Sequence, residues 1–235
     1  MRKMMIAVAA VTAATVLTCG CSEKKSSKKS YSSDVPEKPT EWSVEQRNIE
    51  DILPLEGEEK TFIKYDEEDE TVLRLVQGKL ADEIVNNENE ALDIIASYSK
   101  EIGLVDAYTE LVFKDKIKYG DEVCYRYEQY FNDVKVEDGM VELTVDMLTG
   151  NKPVILHSTY EDLWGFDTSS KLNASDAAKC AKEKYKLDKS ASPELTIIVL
   201  QTEEESEPEL AWKVPVTDDD ISDVYISAKN GDIIA

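Results

Sequence analysis

The side chains able to do chemistry here are few in kind. The 235-residue chain holds one histidine, His157, and four cysteines, Cys19, Cys21, Cys124 and Cys180. It holds 49 acidic residues against 27 basic ones, a formal net charge of −22. A lone histidine builds neither a zinc cage nor a Ser-His-Asp relay, and a His-Glu-x-x-His helix needs two. The acidic run from Tyr65 to Glu70, YDEEDE, lacks the central Gly and closing Glu of an EF-hand loop. The other carboxylates are scattered, the pattern of a solvated face rather than of a paired acid and base. No nucleophile elbow or phosphate-cradling Gly loop occurs. The sequence therefore leads to no catalytic residue, metal or cofactor, and the expectation is a protein that is not an enzyme. Nucleic acid is excluded as a partner, because phosphate binding needs a cationic face. The acidity suits solubility, or the docking of a basic partner.

Two cysteines fall at the end of a leader. Arg2 and Lys3 precede a short apolar run, Ile6 to Leu17, too short to span a bilayer comfortably. Leu17-Thr-Cys-Gly-Cys-Ser22 then resembles the lipobox of bacterial lipoproteins, in which a cysteine after small residues is lipidated and becomes the new N-terminus. Cys21 follows Gly20 and is the expected lipidation site, with Cys19 the alternative. The resemblance implies a chain anchored by lipid to the extracytoplasmic side of a bacterial cell membrane. The leader's only charges are Arg2 and Lys3, so the remainder carries −24. Residues 22–51 are rich in Ser, Lys, Pro and Glu, with Trp42 the apolar exception. Such a composition cannot repay its ordering entropy and reads as a tether. Lys24, Lys25, Lys28 and Lys29 give it a basic patch that would assist a lipid anchor.

The foldable chain follows. Thr71 to Leu80 reads as a strand broken at Gly78, and Glu88 to Ile102 as a helix capped by Asn86 or Asn87 and closed by Gly103. Thr109 to Phe113 reads as a strand and Lys114 to Gly120 as a turn. From Glu122 the alternation is strict: Val123, Tyr125 and Tyr127, the turn Asn132-Asp133, then Val134 to Met147. Asn151 to Ser170 reads as a joint holding His157, Tyr160, Leu163, Trp164 and Phe166. These large side chains are either shared packing between two modules or a peptide-binding patch, and His157, Tyr160, Trp164 and Phe166 are the candidate binding residues. A second helix starts near Asn173 or Ser175, with Ala177, Ala178, Ala181 and Tyr185 turned inward. Strands over Glu194–Leu200, Glu209–Val216 and Asp223–Ala228 come next. Asn230-Gly231 turns the chain into a last strand, Asp232–Ala235. Cys124 in a strand and Cys180 in a helix are either a disulfide or two small buried hydrophobes.

The stretch RYEQYFNDVKVEDGMVELTVDMLTG resembles the core of thermolysin- and fungalysin-type metalloprotease propeptides, the FTP-like module, through Arg126, Tyr127, Gln129, Tyr130, Val134, Val136, Gly139 and Gly150. Downstream, AWKVPV and DVYISAKNGDII resemble the PepSY module of the same propeptides. The resemblance covers roughly Thr71 to Ala235 and implies an α+β fold of two cystatin-like modules, each an antiparallel sheet with a helix packed across it. The implied plan is a lipoprotein signal peptide (1–21), a tether (22–51), an FTP-like module (52–165) and a PepSY-like module (166–235). In such zymogens the propeptide assists folding of the protease and blocks its cleft. A free-standing copy is therefore expected to bind an extracytoplasmic protein, as inhibitor or folding assistant of a secreted metalloprotease. The alternative is an envelope sensor or scaffold that binds peptides or cell-wall components.

Overall fold

Periodicity and caps place most elements where local chemistry demands. The computed structural model describes residues 46–57, 61–67, 69–201, 206–217 and 221–234. The leader, Cys19, Cys21 and nearly all of the tether lie outside them. The described residues fall within one compact unit, Glu37–Ala235.

The fold is α+β. Its strands are β1 (Phe62–Tyr65), β2 (Leu73–Gln77), β3 (Leu111–Tyr119), β4 (Glu122–Phe131), β5 (Val134–Asp146), β6 (Lys152–Ser158), β7 (Glu194–Gln201), β8 (Ser206–Pro215) and β9 (Asp223–Ser227). The helices are α1 (Glu88–Ser97), α2 (Ser99–Ile102), α3 (Ala107–Glu110) and α4 (Ala174–Lys182). Among the described residues the strands form one nine-stranded sheet.

The sheet branches at β5. One side of β5 pairs with β4, and β4 with β3. On its other side, Val141–Asp146 pairs with β6, which continues to β2 and β1. The opposite end of that same side, Lys135 and Val136, pairs in parallel with Thr196 and Ile197 of β7, which leads to β8 and β9. So β6 and β7 share one flank of β5 and leave a fork between them.

Three apolar clusters support this sheet. The first lies under α1 to α3 and holds Leu73, Val76, Ile95, Tyr98, Ile102, Tyr125, Tyr127, Leu143 and Tyr160. The second joins Val134 and Val136 of β5 to Leu163, Ile197, Leu210 and Ala228. The third seats Ala177 and Ala181 of α4 on Val214, Val224 and Ile226. The two alanines are fully buried, and their small side chains let α4 lie close on β8 and β9.

Local signals hold at several points. Asn87 caps α1 by accepting from the backbone N–H groups of Asn89 and Glu90 at 3.0 Å each. Asn173 caps α4 in the same way, accepting from Asp176 N at 3.1 Å. Asn132 and Asp133 take φ of 49° and 64°, the two left-handed residues of a type I′ hairpin.

Five expectations are corrected. The helix expected over Glu88–Ile102 is two, α1 and α2. It breaks at Tyr98, whose fully buried ring sits in the first cluster while its hydroxyl donates to Leu80 O at 2.7 Å. Lys114 to Tyr119 is strand, not turn: the lysines line an exposed edge, and the reversal comes at Gly120, φ 59°. The strand expected from Thr109 starts at Leu111, because Asp106 caps the short helix α3 ahead of it. Asn151 to Ser158 is not all joint, since β6 runs through it with Val154 and Leu156 buried. Near the chain end, the expected last strand is a single bridge, Ile226 to Ile233.

Candidate functional site

The residues that organised the sequence turn out to hold the branch point together. Arg126 donates to both carboxylate oxygens of Asp115 across the β3–β4 pair, at 2.6 and 2.5 Å. That fork-on-fork geometry draws the Asp115 carboxyl below its usual range through the guanidinium hydrogen bonds. Tyr127 OH donates to Glu88 O and ties β4 to the start of α1. Burial, first of all, pushes its hydroxyl pKa upward. Glu128 is partly desolvated, but hydrogen bonds from Lys114 at 2.9 Å and Lys135 at 3.0 Å outweigh that and lower its pKa.

Gln129 does something different. On β4 it alone lies between Glu128 and Tyr130, whose partners on β5 are Met140 and Lys135. Four residues, Val136 to Gly139, thus bulge from β5 opposite it. The Gln129 amide replaces a missing strand partner: its Nε2 donates to Glu161 O at 2.6 Å and its Oε1 accepts from Glu161 N at 2.9 Å. Gly139 leaves the room for this. A Cβ there would stand 2.6 Å from Gln129 Oε1 and 3.0 Å from its Cβ.

The connection after β6 is pinned twice more. Tyr160 donates to Glu110 Oε2 at 2.5 Å, and Arg74 Nη1 donates to Tyr160 O at 2.5 Å. Burial, chiefly, raises the pKa of both Tyr160 and Glu110. Glu110 Oε1 also accepts from the N–H groups of Val105 and Asp106 at 3.1 and 2.9 Å.

These contacts frame a cleft of about 370 Å³ in the fork. Glu137, Asp138, Thr159 and Glu161 form one wall; Ile198, Val199 and Leu200 of β7 form the other, with Tyr225 nearby. Asp138 is exposed and holds φ of 60°, and its carbonyl accepts from Thr159 Oγ1 at 2.5 Å. Glu137 meets Lys213 at 3.4 Å. Beyond Ile197 the β5-facing edge of β7 has no strand partner among the described residues. A second cleft, about 330 Å³, lies between residues 46–53 and 79–83 beside Tyr98, whose pKa burial pushes up to about 12.

The sequence's candidate patch is dispersed. His157 sits on β6 with Nδ1 3.1 Å from Glu142 Oε2, in register with Arg126 and Asp115 further along the sheet. Tyr160 is buried in the first cluster, and Phe166 is partly buried against the second. Trp164 is 38% exposed. Cys124 and Cys180 are both free thiols, and burial pushes that of Cys124 up.

No family model and no curated protein matches the chain. Among solved structures it is similar to the YpeB C-terminal domain of Bacillus megaterium, with 11% identity and a TM-score of 0.35 over 74% of this chain and 79% of that one.

Among the described residues, no three His, Cys, Asp or Glu side chains gather as metal ligands, and no helix is long and apolar enough to cross a membrane. The fork was not visible in the sequence. Its walls come from segments some sixty residues apart, as the bond from Thr196 to Lys135 O shows (61 positions). The one trace of it was the Gly139 step within the alternating strand.

Proposed function

We propose that this chain is a non-catalytic binding module whose partner is an extracytoplasmic protein. A lipid on Cys21, or alternatively on Cys19, would hold it at the outer face of the cell membrane. In this reading it is built as two cystatin-like modules on the plan of a metalloprotease propeptide, FTP-like then PepSY-like, and acts as inhibitor or folding assistant of a secreted metalloprotease. The observation that supports contact through strands is the set of open edges in one sheet. All four residues of β1 are exposed, and Phe62, Ile63 and Tyr65 among them are apolar or aromatic. An unpaired edge with apolar flanks is a template for strand addition.

The test is titration of the chain against secreted zinc proteases, with peptidase activity and refolding yield read together. Inhibition or a raised yield at micromolar protein is expected; no change in either removes the protease reading. Intact mass of the mature chain checks the anchor: unmodified Cys19 and Cys21 would overturn it. The exposed Trp164 supports the other reading, an envelope sensor or scaffold. Specific retention of a wall polymer, lost in Trp164→Ala, would favour it.

A further inference from the structure

We infer that the fork between β6 and β7 is a groove for an extended peptide segment carrying Lys or Arg. This rests on the binding reading above and names its site. Three features meet there. The first is an unpaired strand edge: β7 runs on through Ile198, Val199 and Leu200 after its two-residue pairing with β5 ends. Backbone groups on such an edge accept a new strand, with affinity from main-chain hydrogen bonds and specificity from alternate side chains. The second is space. A cleft of about 370 Å³ falls within the ~300–1,000 Å³ usual for ligand sites. The third is charge on one wall only. Asp138, Glu161 and Glu137, the last already paired with Lys213 at 3.4 Å, line the cleft together with apolar Ile198, Val199 and Leu200.

An incoming strand alternates its side chains between two faces. Ile198, Val199 and Leu200 occupy those same two faces in turn, so apolar residues of the added strand pack beside them while its basic residues reach across to Asp138 and Glu161. The edge is also held open. The β5 bulge and the Gln129–Glu161 bonds keep the first wall away from β7, so the sheet cannot close on itself there.

The experiment is fluorescence polarisation of labelled pentapeptides with the full-length chain in mild detergent. Val-Lys-Val-Lys-Val is the probe. Val-Glu-Val-Glu-Val tests charge, and Val-Lys-Pro-Lys-Val tests strand pairing. The basic probe is expected to bind at least tenfold tighter than either. In Asp138→Asn with Glu161→Gln its affinity falls at least fivefold, whereas Glu56→Gln with Glu183→Gln, two exposed acids outside the fork, leaves it within twofold. Asn tolerates the left-handed backbone at 138, φ 60°, and an unchanged urea-unfolding midpoint shows that the double variant is folded. Equal binding of all three peptides, or equal loss in both variants, means attraction to net charge alone and overturns the inference. If no pentapeptide binds while inhibition or assisted refolding of a protease persists in Asp138→Asn with Glu161→Gln, the groove is wrong and the binding reading stands.

Discussion

The two ends of β5 are held in opposite ways. From Val141 to Asp146 the strand has antiparallel partners on both sides, β4 and β6, nearly without interruption. At Lys135 and Val136 its partner across the fork is only two residues of β7, in parallel. What the second end lacks in ladder it recovers through side chains. Gln129 grips Glu161, Glu110 and Arg74 hold Tyr160, and Thr196 Oγ1 donates to Lys135 O at 2.9 Å. A ladder distributes its stability over many bonds, whereas a few buried side-chain bonds concentrate it, so single substitutions should separate the two ends.

The largest effect is expected at Gln129. Gln129→Ala removes two hydrogen bonds, strands the Glu161 backbone groups and leaves a cavity, for a loss of about 3 kcal/mol in urea unfolding. Amides of β7 should then exchange faster while those of Val141–Val145 keep their protection. Equal loss of protection at both ends would erase the contrast. Gly139→Ala should cost about 2 kcal/mol by displacing the same amide. In a double-mutant cycle most of that cost should vanish when Gln129 is already Ala. Strict additivity would mean that Gly139 serves something other than Gln129.

The Glu110 pin should show itself in pH. Burial raises the folded pKa of Glu110 above its ordinary 4.5. A carboxyl with a raised folded pKa favours the native state when protonated. Its contribution is complete below pH 4.5 and is lost as pH rises through the folded value. The stability difference between the native chain and Glu110→Gln should therefore shift in favour of the variant as pH rises above 4.5. A pH-independent difference would contradict the raised pKa. The smallest effect should come from Asp133→Gly, which places the preferred Asn-Gly pair in the I′ turn at the fork end of β5. About 0.5 kcal/mol of added stability is expected. A loss would show that the Asp133 side chain matters more than its backbone.

Much of the fold was legible where the signal is local. The caps at Asn87 and Asn173, the Asn132-Asp133 turn, the alternating β4 and β5, and the alanine face of α4 follow from neighbours in sequence. The failures have physical causes. β6 was masked by Pro153 and by aromatics just beyond it; the proline is accommodated within the strand, opposite Val145 at a register shift. β3 was masked by three lysines, which on an edge strand are protection against aggregation rather than a turn signal. The break at Tyr98 reflects tertiary burial that overrides helix periodicity. The proposed groove was illegible because its walls meet only through long-range pairing. The aromatics chosen in its place were singled out by size, and size more often marks a core, as Tyr160 does.

The parallel seam also sets an order of events. Residues 111–158 can zip from neighbouring strands, and so can 194–227, but the seam joins positions 61 apart. A chain made from its N-terminus has Val136 in place long before Ile197 exists. During that interval the bare flank of β5 is the part of the nascent molecule most in need of company, and whatever sits there must leave before the molecule is finished.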